Sequence, residues 1–343
     1  MKTHCLFGRK GIDIQFRELA LDLPPDGVLV KVCACGVCGT DLNFLRDWEE
    51  DYQPLGHEIS AGVVECGKLV QGYTPGDTVT VEDCAMCGAC QDCKSGHPEY
   101  CRNMHTLNGI PGMGQYLVVH YGNLNKYEGL SHRHACLTEP LAVALSAVRK
   151  AEIPPNGSLL VLGCGPIGLL AARVAKLFGA GFVGITARSG STPMSHARLS
   201  LAEKLGCDLL LRTSSQDVVT EIRRLFPKGV DRVIVTSPPQ SMKDAFKLIR
   251  FGGTIAFLGL SFSGDSVIPF DVNEAVFNKT TLRPVFAEPA VDFALATELI
   301  KQGKVDASLF QTHTFSFHNA KEHFAAALSG DLPVIKSVFL PWE

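Results

Sequence analysis

The chain has no surplus of positive charge. Its 32 Lys and Arg face 35 Asp and Glu over 343 residues, a net charge of -3, so no basic field draws in nucleic acid or an anionic membrane. The first residues, M-K-T-H-C-L-F-G-R-K, lack the apolar stretch and small-residue cleavage site of a secretory signal. A predominantly apolar run of about 18 residues, enough to cross a bilayer, is missing too. The uncharged segment after Arg102 is broken by Asn103, His105, Asn108, Pro111 and several Gly. There is no internal repeat and no low-complexity tract. These absences lead us to expect a cytoplasmic protein with neither a nucleic-acid nor a membrane partner. A composition of 46% hydrophobic and 20% charged residues is that of a globular chain, and the length suits two domains of roughly 100–200 residues.

What the sequence holds in abundance is cysteine, 13 in all. The count is odd and the residues cluster, first at Cys33, Cys35 and Cys38, then at Cys84, Cys87, Cys90 and Cys93. That pattern fits metal ligation better than a disulfide framework. Cys87, Cys90, Cys93 and Cys101 form C-x2-C-x2-C-x7-C in a loop punctuated by Gly and Pro. Four thiolates so spaced can close a tetrahedron around a structural Zn2+; a redox C-x-x-C pair or disulfides suit the even spacing less well. Cys84 falls outside the pattern and reads as a free thiol in preference to an alternative ligand. A second set is dispersed: Cys38 in G-V-C-G-T-D, His57 and Glu58 in G-H-E, and Glu139 in T-E-P. Thiolate, imidazole and carboxylate from three segments can hold Zn2+ and still leave room for water or substrate, as a catalytic metal needs. Taken singly, Cys38 reads as a core thiol and His57 as a turn histidine; it is their conjunction with a dinucleotide fold that makes them ligands.

The pattern of elements changes along the chain. Up to about residue 125 it is short strands and turns (28–32, 61–65, 77–81, 115–119), and from about 138 strands and helices alternate, with strands at 159–162, 182–186, 208–211, 232–236 and 253–258. Alternation at this spacing predicts an α/β domain with a doubly wound parallel sheet. Between the buried strand 159–162 and the next helix stands Gly163-Cys164-Gly165-Pro166-Ile167-Gly168. The motif alone is weak, but in this context Gly163 allows a tight turn, Gly165 a close approach of pyrophosphate, and Gly168 close packing of helix and strand. The helix N-terminus offers unpaired amides to the phosphates. NAD-binding turns normally have an acid about 20 residues further on. Here Ala187-Arg188 stand at that point, and no Asp or Glu occurs from Leu169 to Ala202. Arg188 and Arg198, with Ser189 and Ser191, offer donors for a 2′-phosphate, so NADP(H) is expected in preference to NAD(H). Thr236, Ser237 and Leu258-Gly259-Leu260 end two further strands, where ligands sit in open α/β sheets.

With these residues in view, the chain resembles the zinc-dependent medium-chain alcohol dehydrogenases, in the sorbitol, threonine and polyol dehydrogenase branch. The resemblance covers nearly the whole length and rests on G-V-C-G-T-D, G-H-E before A-G-V-V-E, P-G-D-T-V, the four-cysteine lobe, T-E-P-L-A-V-A-L and V-L-G-C-G-P-I-G, all in family order. It implies a β-rich, GroES-like catalytic domain over 1–145 and 288–343 and a Rossmann domain over 146–287. It implies two Zn2+ per chain and a homodimer or homotetramer acting on a small alcohol or ketone. Cys38 and His57 would ligate the catalytic zinc, Glu58 would be a ligand that exchanges with water, and Glu139 would bind directly or through water. Asp41 resembles the carboxylate that orients the metal-bound histidine. Thr40 stands where the family passes the substrate proton toward the cofactor ribose; the relay histidine of many members is here Asn43, which cannot titrate.

The segment G-S-T-P-M-S-H between Arg188 and Arg198 is longer than the family's and reads as a loop near the adenosine ribose, with His196 able to donate to a phosphate. Phe44, Trp48, His105, Phe262 and Phe286 are candidate pocket residues by nearness in chain to the motifs. The carboxylate-rich zinc site favours a secondary alcohol on a sugar, cyclitol or polyol over short aliphatic alcohols and aldehydes. A catalytically silent NADPH-binding protein would have no chemical need for an open zinc site, and a zinc-finger DNA binder fails on charge.

Overall fold

Val28, Val30 and Val32 alternate along G-V-L-V-K-V and all three are fully buried, with Leu29 covered as well and Lys31 exposed, as in a strand whose inward face is continuous and whose other face is partly covered. This strand, Gly27–Gly36, lies within a seven-stranded sheet. The order is Leu124–Lys126, Thr78–Val81, Glu58–Cys66, Gly27–Gly36, Lys336–Phe339, Gln311–Phe315, with Tyr116–His120 also paired to Gly27–Gly36. One core gathers Leu6, Leu55, Ile59, Val79, Leu117, Phe324 and Phe339, each contributing roughly 1.5–3 kcal/mol by its burial. The register pairs Gly36 with Glu58 on one side and with Val338 on the other. Two segments 278 residues apart in sequence therefore meet at the Glu58 end of the sheet. A second sheet is built from the hairpin Lys2–Arg9 and Asp13–Ala20 with Gln53–Pro54.

The structure is a computed structural model and describes residues 1–188, 191–262, 264–286 and 291–343. It divides into two units. The first comprises Met1–Ala142, Ala287–Ser329 and Lys336–Glu343; the second comprises Val143–Phe286 and Gly330–Ile335. Among the described residues no helix is long and apolar enough to cross a membrane.

In the second unit, Ser158–Leu162 is buried at every residue, as expected of a strand covered on both faces. The sheet order is Leu209–Arg212, Phe182–Ala187, Ser158–Leu162, Val230–Val235, Ile249–Phe257, Thr281–Pro284, all parallel. Counted along the chain this is 3-2-1-4-5-6, the doubly wound order with its switch point beside the first strand. Leu160, Leu162, Val233, Val235 and Ile255 share a core with Ile222 and Leu248 from the covering helices. Part of G-S-T-P-M-S-H is not loop, because a helix begins at Pro193 and runs to Lys204. Thr192 caps it, its hydroxyl accepting from Ser195 N at 3.2 Å, and Pro193 fills the first position, both favourable at a helix start. Ser189 lies outside the described residues.

Candidate metal centre and cofactor turn

Cys38 is the N-cap of the short helix Gly39–Asn43. Three residues on, Asp41 is almost fully buried, and its carboxylate accepts from Cys38 N and from Gly56 N, each at 2.8 Å. The resemblance assigns Asp41 to the ring of His57. Those two amide bonds fasten the Cys38 turn to the G-H-E segment, and the same carboxylate acts by its charge on His57. Gly56 itself has φ +86°, and a Cβ there would meet Met113 Cγ at 2.6 Å and Cys35 Sγ at 2.7 Å. Only glycine serves at that position, and the forced turn sets His57 and Glu58 in place.

Cys38, His57 and Glu58 offer ligand atoms within 4.8 Å of one another. Burial opposes charge on His57, yet the Cys38 sulfur and the Asp41 and Glu139 carboxylates hold its pKa well above the usual imidazole value. A field that favours a proton on this ring favours a divalent cation in its place, so the donor set fits zinc. Glu139, in the first turn of the helix Thr138–Ala151, stands outside the three-residue cluster but within its electrostatic reach. Burial, with Glu58 and Asp83 nearby, pushes its carboxyl up to about 8. Thr40 Oγ1 is 3.7 Å from Cys38 Sγ, a hydroxyl directly beside the cluster.

Sequence reasoning missed Lys336. Its ammonium lies 2.6 Å from both Glu58 oxygens and donates to Val37 O at 2.9 Å, with both side chains nearly fully buried. Burial disfavours the charge, but Glu58 and Cys38 outweigh it and keep the lysine protonated. The signal was a lone Lys in the apolar terminal strand V-I-K-S-V-F-L. His105 moves the other way: it stacks on His120 with centroids 3.5 Å apart and lines a concavity of about 310 Å3 with Asp26 and Asn123, apart from the Cys38 cluster.

Cys87, Cys90, Cys93 and Cys101 also bring their sulfurs within 4.8 Å of one another. Cys90 N points at Cys87 Sγ at 3.4 Å and Cys87 N at Cys101 Sγ at 3.4 Å. Amides of Ala89 and Cys90 lower the Cys87 thiol to about 6, favouring the thiolate a metal binds. Cys84 is buried, and burial pushes its thiol up to about 12.

In the second unit, Gly163 has φ +121° and a Cβ would meet Thr236 Oγ1 at 2.6 Å; a Cβ on Gly168 would overlap the Gly163 carbonyl, whereas one on Gly165 would meet nothing. Pro166 and Ile167 open the helix Pro166–Leu177 behind this turn. Thr236 is less available than the sequence suggests, because its hydroxyl donates to Leu162 O and Gly163 O. Ser237 Oγ and Arg198 Nε, by contrast, are buried without partners among the described residues, the condition a bound phosphate or ribose relieves. Arg198 lies on the helix Pro193–Lys204, within the field of Cys164 in the glycine turn. Gly259 packs on Ser237 O, Leu258 N donates to Val235 O, and Leu260 is exposed. Ala187 ends its strand, and exposed Arg188 follows with no side-chain partner among the described residues.

Comparison with known proteins agrees with both halves. The family model described as alcohol dehydrogenase GroES-like domain matches residues 24–129, and that described as zinc-binding dehydrogenase matches residues 166–302. An L-galactonate-5-dehydrogenase of Escherichia coli is 30% identical over 95% of each chain. A sorbitol dehydrogenase of Bacillus subtilis is 28% identical over 99% of this chain and 97% of its own. Among solved structures, a zinc-binding dehydrogenase from Sinorhizobium meliloti bound to NADP superposes with a TM-score of 0.84 at 28% identity, covering 99% of this chain and 100% of its own.

Proposed function

The chain belongs to the zinc-dependent medium-chain alcohol dehydrogenases, in their polyol branch, and from that membership we propose that it interconverts a secondary alcohol of a polyol, sugar or cyclitol with its ketone, using NADP(H). The observation that carries this reading is the Cys38, His57 and Glu58 cluster with the Thr40 hydroxyl beside it. Cys38 and His57 would hold the catalytic zinc, Glu58 would alternate between the metal and Lys336, and Glu139 would reach it directly or through water. Cys87, Cys90, Cys93 and Cys101 would enclose a structural zinc with four thiolates. When bound, zinc supplies the Lewis acidity that lowers the alcohol's pKa, and the nicotinamide accepts or returns the hydride.

Thr40 would take the substrate proton at Oγ1. Asn43, whose Oδ1 accepts from Arg46 Nη1 at 3.3 Å, cannot carry it onward, so water receives it. Thr40→Ala is expected to lower kcat by about 10² or more while zinc content stays unchanged; an unaffected rate would move the relay elsewhere.

The NADP preference rests on Arg188 standing where an acid would otherwise hold the ribose, with Arg198, whose Nε is buried, on the helix that follows. The NADP-bound relative supports it. The test is a panel of polyols, amino alcohols and simple aldehydes assayed with both cofactors. We expect kcat/KM for NADPH to exceed that for NADH, and Arg188→Asp to move the ratio toward NADH by about tenfold or more, the loss of a charged phosphate contact. A wild-type ratio below one would remove the preference. A homo-oligomer in a reducing compartment completes the proposal. It is supported by thirteen unpaired cysteines, by the edge strand Thr281–Pro284 and by the exposed apolar residues Phe262, Val267, Phe270, Val276 and Phe277.

A further inference from the structure

The strand Thr78–Val81 runs antiparallel to Glu58–Cys66, with Val81 opposite Ile59. Two residues beyond that last pair stand Asp83 on one segment and His57 on the other. The backbone there is held: Asp83 O accepts from Leu107 N at 2.9 Å, and the next residues, Cys84–Ala85, pair with His105–Thr106. The side chain is half-buried and makes one weak contact, with Cys84 Sγ at 3.8 Å. Among the described residues no Lys, Arg or His pairs with it. Its charge nonetheless reaches the metal centre, since it acts on Glu139 alongside Glu58.

Asp83 keeps a half-exposed carboxylate with no Lys or Arg paired to it among the described residues. Such a group is an acceptor only: it takes hydrogen bonds from hydroxyl or ammonium groups and repels a second carboxylate. Beside the residues that would bind a polyhydroxylated substrate, this chemistry sorts ligands by charge. The question has content within the family, because one similar protein is named for an aldonate, an anion, and another for sorbitol, which is neutral. We infer that Asp83 is a specificity-determining residue that accepts hydrogen bonds from an uncharged polyol and turns away sugar acids. This inference rests on the polyol dehydrogenase reading above and narrows it to neutral alditols.

The test uses the zinc-loaded full chain with NADP+ and matched alditol and aldonate pairs of five and six carbons. We expect wild-type kcat/KM to favour the alditol of the best pair by about tenfold or more, and Asp83→Asn to narrow that ratio by about tenfold, chiefly by raising the aldonate term. Zinc content is expected to stay at the wild-type level in Asp83→Asn, and Asp83→Glu should keep the discrimination. Asp83→Ser is a second neutral variant should Asn fold poorly, and the wild-type ratio needs no variant. Oxidation of an aldonate as efficiently as its alditol, or a ratio unmoved in both neutral variants, would overturn the inference and leave the dehydrogenase reading standing. Oxidation of none of the pairs would overturn the polyol reading and this inference with it.

Discussion

Replacing Cys38 with Ala is expected to lower zinc content from about two ions per chain to about one and to reduce kcat by about 10³ or more. Lewis-acid stabilisation is worth several kcal/mol, and each tenfold in rate is about 1.4 kcal/mol, which sets the scale. The ion that remains should be the one enclosed by Cys87, Cys90, Cys93 and Cys101, whose sulfurs form a separate group. Metal analysis and turnover on the same preparation give the answer. Cys93→Ser is the reciprocal control: it opens the four-thiolate lobe, and should release the other ion and lower the unfolding temperature. A wild-type chain with a single zinc, retained in Cys38→Ala, would mean that the first cluster holds none and would return the silent NADPH-binding reading to consideration.

The second large effect concerns Lys336. Its ammonium is the only cation paired with Glu58 among the described residues, and both groups are nearly fully buried. Removing one partner of such a pair leaves an uncompensated charge in the interior and typically costs about 3–5 kcal/mol. Lys336→Met should therefore lower the midpoint of urea unfolding markedly, and Glu58→Gln added to it should recover much of the loss. The double variant separates charge from packing. If Lys336→Met alone proved as stable as wild type, the ammonium would not be what holds the Glu58 carboxylate.

Much of this site was legible in the sequence because its chemistry is local. The four-cysteine lobe is spelled out within fifteen residues, from Cys87 to Cys101. The glycine turn likewise sits between its strand and helix in one stretch, and Gly163 and Gly168 have the backbone angle and the close contact their positions demand. What sequence reasoning missed was set by pairing at long range. Lys336 reaches Glu58 only because the last strand lies beside Gly27–Gly36, and nothing near Lys336 in sequence mentions a carboxylate. Asp83 went unnoticed because its place depends on the register of Thr78–Val81 against Glu58–Cys66. Asp41 has a second task that its spacing from Cys38 shows as a capping pattern: besides acting by charge on His57, it accepts from two backbone amides. The Thr192-Pro193 start was legible from cap chemistry alone and was obscured by comparing segment lengths instead.

The Asp41 clasp bears on how the centre would acquire a metal. Because the Cys38 turn and the Gly56 turn are tied to one buried carboxylate, the loss of freedom in arranging the ligands is borne during folding of the chain, not at the moment of ion capture. Discrimination among divalent ions then falls to the softness and number of the donors, and not to whether the loops can rearrange around a larger or smaller guest. The candidate metal site is in this sense a mould set before casting.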